Sequence, residues 1–323
     1  MSAFRETACR FGDDAQLAGI LTEPARPARR ACVLVTAGLV PRLGPYRLYT
    51  ELARELARDD VASLRFDLGG IGDSAPGATG LPLRERTAAE LRAAVDALVT
   101  RTGVDDVVAF GLCSGAEDAL RHAEGDPRVT GVVMIDPFSF RTRGFAWRHL
   151  LYRASRRSLR ALRLYRPLVA RDGNAGSQRL VEYRYMTRDE ASRVLSALIG
   201  RGVQVAFVYT GGARESFNHA GQLRAMFPEL DLGRHVTVDH LPHLDHTPFF
   251  AADRAALIGA IRRRIAERPA QWTAPAAVTE NASVPCAVGF HAPPRATWMA
   301  SRPPAGVAVT EYPPADAATS KRT

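Results

Sequence analysis

The chain has 323 residues, 46% of them hydrophobic, enough for one large domain or two small ones. No apolar stretch approaches the roughly 20 residues of a membrane-spanning helix, and the first ten residues lack an apolar signal core, so a cytoplasmic protein is expected. The net charge of +9 would suit nucleic acid, but Lys321 is the only lysine, a bias that reads as GC-rich coding; no nucleic-acid module accompanies it and no nucleic-acid partner is expected. Cys9, Cys32, Cys113 and Cys286 stand far apart, with neither CxxC pairs nor disulfide spacing, as in a reducing compartment.

In chain order, residues 4–10 and 16–22 flank Gly12-Asp13-Asp14 and predict a hairpin. Residues 31–36 are a continuous apolar run suited to a strand buried on both faces. A helix over 46–58 follows, with Leu48, Leu52 and Leu56 on one face, then a strand over 61–66. Thr87 and Glu90 have capping-box spacing, opening a helix whose Leu91, Val95 and Leu98 share a face. Strands at 107–110 and 129–135 come next. The alternation breaks at Pro137: residues 138–195 show no clear strand, carry an arginine cluster with Trp147, and contain a second capping box at Thr187 and Glu190. It resumes with strands at 203–209 and 235–239, a helix near 218–226 between them, and a helix over 248–267. The prediction is an α/β protein with a mainly parallel, doubly wound sheet. Residues 1–137 and 196–268 form the core, 138–195 a helical lid insertion, and the Pro/Ala-rich residues 269–323 a disordered tail.

Gly111-Leu112-Cys113-Ser114-Gly115, between an apolar strand and a helix, has the pattern of a nucleophile elbow, with a thiol at its centre. Shifting the register to Ser114 would put Leu112 and Ala116 where the glycines belong. A plain reading exists, since a half-buried cysteine often packs as a small hydrophobe. The chemical reading gains from the acids and histidines that follow in chain order.

Residues 4–267 resemble the α/β-hydrolase superfamily. Within it they are similar to the serine-aminopeptidase-like branch, and most to hydrolases associated with exosortase systems. The residues that carry this are Ala37-Gly38-Leu39-Val40, residues 44–49, Arg65-Phe66-Asp67-Leu68-Gly69-Gly70-Ile71-Gly72-Asp73-Ser74, the elbow, and Asp245-His246-Thr247. The cysteine in the elbow is also similar to that of dienelactone hydrolases. The resemblance implies a helical lid and a nucleophile–acid–histidine triad. It selects His246 over His240 and His243, because Asp-His-Thr stands just before the final helix. A metal site built from these histidines with Asp239 and Asp245 is the rival, on spacings that match no standard ligand pattern. Glu215, in Gly212-Ala213-Arg214-Glu215, is the expected acid; Asp136, at the end of the preceding strand, is the alternative. The oxyanion donors would be the amides of Ser114 and of Gly38 or Leu39.

The expected reaction is hydrolysis of an ester or thioester through an acyl-thioester on Cys113, with no cofactor. Transfer of the acyl group to an amine or alcohol is the enzymatic rival, and a non-catalytic binding protein on the same fold is the other. Asp67 and Asp73 are read as loop-fixing. Arg47 would hold that loop or meet an anionic substrate. Trp147, Arg153 and Arg156 would line the lid entrance for a small or carrier-bound acyl compound.

Overall fold

Continuous apolar runs become the inner strands of one sheet. The computed structural model describes residues 3–77, 81–162 and 185–266, without the side chains of 153 and 155–162. The predicted tail and the middle of the predicted insertion lie outside the described residues. Strands β1 (Phe4–Phe11) and β2 (Leu17–Pro24) pair antiparallel around Gly12 at φ 77°. They are followed by β3 (Arg30–Val35), β4 (Val61–Phe66), β5 (Val107–Leu112), β6 (Val129–Ile135), β7 (Gln204–Thr210) and β8 (Val236–Leu241). The sheet order is β1-β2-β4-β3-β5-β6-β7-β8; β2 meets β4 antiparallel, and every pair from β4 to β8 is parallel. Every residue of β3, β4 and β5 is buried, as expected of strands covered on both faces.

One face is covered by α1 (Leu48–Arg58) and α7 (Ala251–Ala266), through Leu52, Leu56, Leu257 and Ile261. The other is covered by α2 (Leu83–Thr102), α3 (Ser114–Gly125) and α5 (Arg188–Gly200), through Leu91, Val95, Leu120 and Leu195. The amphipathic spacing read from the sequence is what puts these residues inward. Two further helices lie near the carboxyl edge of the sheet, α4 (Phe145–Leu162) and the short α6 (Gln222–Met226).

Two local expectations change. The helix expected to open at Thr87 begins four residues earlier, behind Pro82, whose fixed φ suits a helix start. Glu90 instead accepts the Gly69 amide at 2.9 Å, tying the loop after β4 to α2. Of the second capping box only the Thr187 half forms: its hydroxyl accepts from the Glu190 amide at 3.2 Å, while the Glu190 carboxylate takes Arg84 and Arg121. The helix it opens, however, buries Ala191, Val194, Leu195 and Leu198 in the core. That half of the predicted insertion is the crossover helix between β6 and β7, and α4 alone remains as the described helix of the expected lid.

At the amino end of the sheet, Arg30 (4% exposed) donates from Nε to Asp106 Oδ2 at 2.9 Å and from Nη1 to the Ile265 carbonyl at 2.9 Å. Asp106 also accepts from the Thr130 hydroxyl. One buried pair thus links β3, the start of β5, β6 and the end of α7. Removing one partner leaves an uncompensated buried charge, so Asp106→Ala is expected to cost about 3–5 kcal/mol in urea unfolding. A loss below about 1 kcal/mol would mean the pair is not fastening these elements.

Candidate active site

The turn after β5 is forced by backbone contacts. A Cβ on Gly111 would stand 2.2 Å from the Gly115 carbonyl oxygen, and one on Gly115 would stand 2.6 Å from the Thr36 oxygen. Between them Cys113 sits at φ 55°, ψ −121°, a strained position for a side-chain-bearing residue, and begins α3. Its amide donates to the Ile135 carbonyl at 2.9 Å, and its own carbonyl accepts from the amides of Ala116 and Glu117. The register is therefore the one the glycines implied: the central residue is Cys113, and it is half-exposed.

His246 lies in the loop between β8 and α7. Its Nδ1 is 2.7 Å from Asp136 Oδ2, and the ring also hydrogen-bonds the Cys113 side chain. Asp136 immediately follows β6, at φ 43°, and is buried. It accepts from the Thr210 amide at 2.6 Å and the Thr210 hydroxyl at 2.5 Å, so three donors fix its carboxylate. Burial alone would lower the His246 pKa. The hydrogen bonds to Asp136 and Cys113, with the charges of both, outweigh it and raise the value to about 10.

The preferred acid of the sequence reading is corrected here. Glu215 ends a 3-10 turn over Gly211–Glu215, its side chain is 83% exposed, and it stands 3.6 Å from His149 Nε2. What that turn offers His246 is the bare backbone of Gly212, where a Cβ would come within 2.4 Å of the His246 Cβ. The alternative acid, Asp136, meets the imidazole. His240 packs edge-on against Phe217, with ring centres 5.4 Å apart, and His243 is exposed. Asp239 of the rival metal reading is taken up by Arg264 at 2.8 Å.

The oxyanion candidates separate as well. The Gly38 amide donates to the Ser114 hydroxyl at 3.1 Å, which removes Gly38 as a donor to substrate and gives the Ser114 hydroxyl a structural partner. Leu39 is 54% exposed, and among the described residues its amide makes no hydrogen bond. Arg47 is exposed at φ 67° and does not hold the loop after β4. Arg42 does so, bonding both Asp67 and Asp73, while the Asp73 amide donates to Asp67 at 3.0 Å. Asp67 is thus a loop-fixing residue. Trp147 is 64% exposed on α4 and does not line the cavity beside Cys113. The Arg153 and Arg156 side chains lie outside the described residues.

A cavity of about 230 Å³ opens beside Cys113, with Phe138, Phe140, Tyr185 and Met186 among its walls. A larger one, about 330 Å³, lies at the amino ends of β5 to β8, away from this site. The smaller cavity contains a residue the sequence reading missed, Glu117, one turn beyond Cys113 on α3 and 1% exposed. Burial raises its pKa to about 7, against the opposing pull of the Met186 amide at 2.7 Å and of Arg121. Its signal was the run of small residues around it (Ala116, Ala119 and Ala123), which marks a helix packed closely on its neighbours. Among the described residues no group of three or more His, Cys, Asp or Glu side chains could hold a metal, and no helix is long and apolar enough to cross a membrane.

Solved structures share this architecture. An esterase of Pyrococcus furiosus is 11% identical, the match covering 80% of this chain and 89% of that one, at a TM-score of 0.52. A hypothetical protein of Pseudomonas aeruginosa is 15% identical over 82% and 95%, at 0.51. A dienelactone hydrolase of Anabaena variabilis is 16% identical over 81% and 97%, at 0.48. The chain has the α/β-hydrolase fold. No family model matches the sequence, and no curated protein does.

Both shifted groups hold more protons folded than unfolded, so both contribute stability that alkali removes. For Glu117 the contribution is complete below its ordinary 4.5 and is lost as pH rises through about 7. For His246 it is complete below 6.5 and is lost as pH rises through about 10. The melting temperature is expected to fall in two overlapping steps. Glu117→Gln should flatten the lower step and His246→Gln the upper, as read by calorimetry across that range. A profile unchanged by either substitution would show that these groups do not titrate as described.

Proposed function

We propose that the protein hydrolyses carboxylic ester or thioester bonds through Cys113, His246 and Asp136. The observation that carries this reading is a single imidazole that bonds Asp136 on one side and a strained, half-exposed thiol on the other. The Cys113 proton passes to His246 and the sulfur attacks the carbonyl carbon. Charge on the carbonyl oxygen then faces the amides of Ser114 and Leu39. Collapse expels the alcohol or thiol, which leaves with the proton held by His246. Part of what raises the His246 pKa is the charge and hydrogen bond of Cys113. Acylation removes that charge, so the imidazole becomes free to take a proton from the water that releases the acid. Asp136, held by Thr210, orients the ring throughout and balances its positive charge.

The substrate class is an acyl compound, free or carrier-bound, with the acyl part in the cavity beside Cys113. The finer resemblance to exosortase-associated hydrolases is compatible with that class. The α4 segment would act as the lid.

Turnover of p-nitrophenyl butyrate tests the assignment. Cys113→Ala is expected to abolish it, and Cys113→Ser to retain a fraction. Asp136→Asn should lower kcat by roughly 10⁴-fold, as loss of the orienting acid does elsewhere. Glu215→Gln should stay within about two-fold, like other exposed substitutions. Full activity in Cys113→Ala, or a Glu215→Gln defect larger than that of Asp136→Asn, would overturn the reading.

A further inference from the structure

Glu117 has no part in the steps above, yet it is among the residues lining the cavity that those steps give to the acyl group. The other walls are neutral or already committed. Phe138, Phe140, Tyr185, Met186, Ser139 and Ser216 carry no charge at neutral pH, and Asp136 is held by Thr210 and His246. Among the described residues no arginine, lysine or histidine lines this cavity. Among the described residues the nearest cation to Glu117 is Arg121, 3.5 Å from Oε2. It is shared with Glu190 at 3.1 Å and Asp118 at 3.5 Å.

We infer that Glu117 is a specificity-determining residue of the Cys113 cavity, admitting uncharged acyl groups and rejecting those that carry a second carboxylate. This deepens the proposed hydrolase reading and rests on it for the identity of the acyl group. The physical basis is like-charge repulsion in a partly enclosed space, where water screens poorly and, among the described residues, no guanidinium lines the cavity to offset it. The groups acting on Glu117 are Arg121 and Asp118 on its own helix, Glu190 on α5 and the Met186 amide, and Glu117 in turn acts on Tyr209 of β7. Apart from Arg121 and the Met186 amide, none of these favours its ionised form. As its proton is lost near pH 7, the exclusion strengthens.

Glu117 also has a structural task, since Oε2 accepts the Met186 amide at 2.7 Å and holds the opposite wall in place. Glutamine keeps a carbonyl oxygen for that amide and removes only the charge, so Glu117→Gln separates the two roles. Two probes are used on the full chain. The first compares kcat/KM for p-nitrophenyl butyrate and mono-p-nitrophenyl succinate, which differ by a terminal carboxylate. Wild type should prefer butyrate, and Glu117→Gln should cut that preference about ten-fold, mainly by a gain on succinate. Lowering the pH from about 8 to about 6 should narrow the wild-type preference and leave that of the variant flat. The second compares alkylation of Cys113 by iodoacetate and iodoacetamide, which needs no turnover. Glu117→Gln should raise the iodoacetate rate relative to that of iodoacetamide. Equal effects on charged and neutral probes in both assays would overturn the inference and leave Glu117 as a clamp on Met186. If neither ester turns over in wild type while the alkylation ratio still shifts, the hydrolase reading fails and the charge selection stands.

Discussion

The site depends on how closely three stretches of backbone approach one another at Gly111, Gly115 and Thr36. No side chain fits at either glycine, because the gap is already filled by carbonyl groups. This brings the start of α3 against the end of β3, so the residue that opens the helix and the loop that follows β3 share one corner of the molecule. The Ser114 hydroxyl then takes the Gly38 amide and fixes that loop. The strain at Cys113 is offset by the surrounding contacts, with Ile135 holding its amide and the first turn of α3 holding its carbonyl. A turn so over-determined keeps the sulfur in place whatever its neighbours do.

The same logic explains what could be read from the chain. The sheet was legible because strands buried on both faces are continuous apolar runs, and β3 to β7 fit that description over nearly their whole length. The turn was legible because glycine there is a steric necessity. The acid was not. Asp136 and Glu215 follow neighbouring parallel strands, and both emerge at the carboxyl edge about one strand spacing apart. Which one faces the histidine is decided by contacts distant in sequence, the two bonds from Thr210 to Asp136 and the bare face that Gly212 turns to His246. Gly212 had been read as spacing for an acid. Its role is to let the imidazole approach.

Arginines misled in a similar way. Composition marks them as abundant, but not which ones are committed. Arg42 is taken up by Asp67 and Asp73, and Arg30 by Asp106, whereas Arg47 is exposed. Each of the first two fixes a loop or strand end, which is a structural use of charge with nothing to do with an anionic partner. The net charge of the chain therefore says little about its ligands. The informative charges are the buried carboxylates beside the cavity, Asp136 and Glu117, because a carboxylate withdrawn from water persists only where something compensates it. Asp136 is held by three donors, two from Thr210 and one from His246. Glu117 is compensated in part and sits near the neutral point.

That difference also bears on the choice between thiol and hydroxyl at the turn. Cys113 and Ser114 are adjacent, and either side chain could attack a carbonyl in principle. Ser114 is buried, its hydroxyl already accepts a backbone amide, and it stands one residue past the strained position. The imidazole reaches Cys113. A thiol gives up its proton to an imidazole far more readily than a hydroxyl does. The raised His246 pKa would be a handicap for a serine, which needs a neutral base at the moment of attack. A raised imidazole pKa suits the thiol reading proposed above, in which the proton passes from sulfur to ring. The electrostatics of this corner follow from Asp136 being saturated by Thr210 and His246.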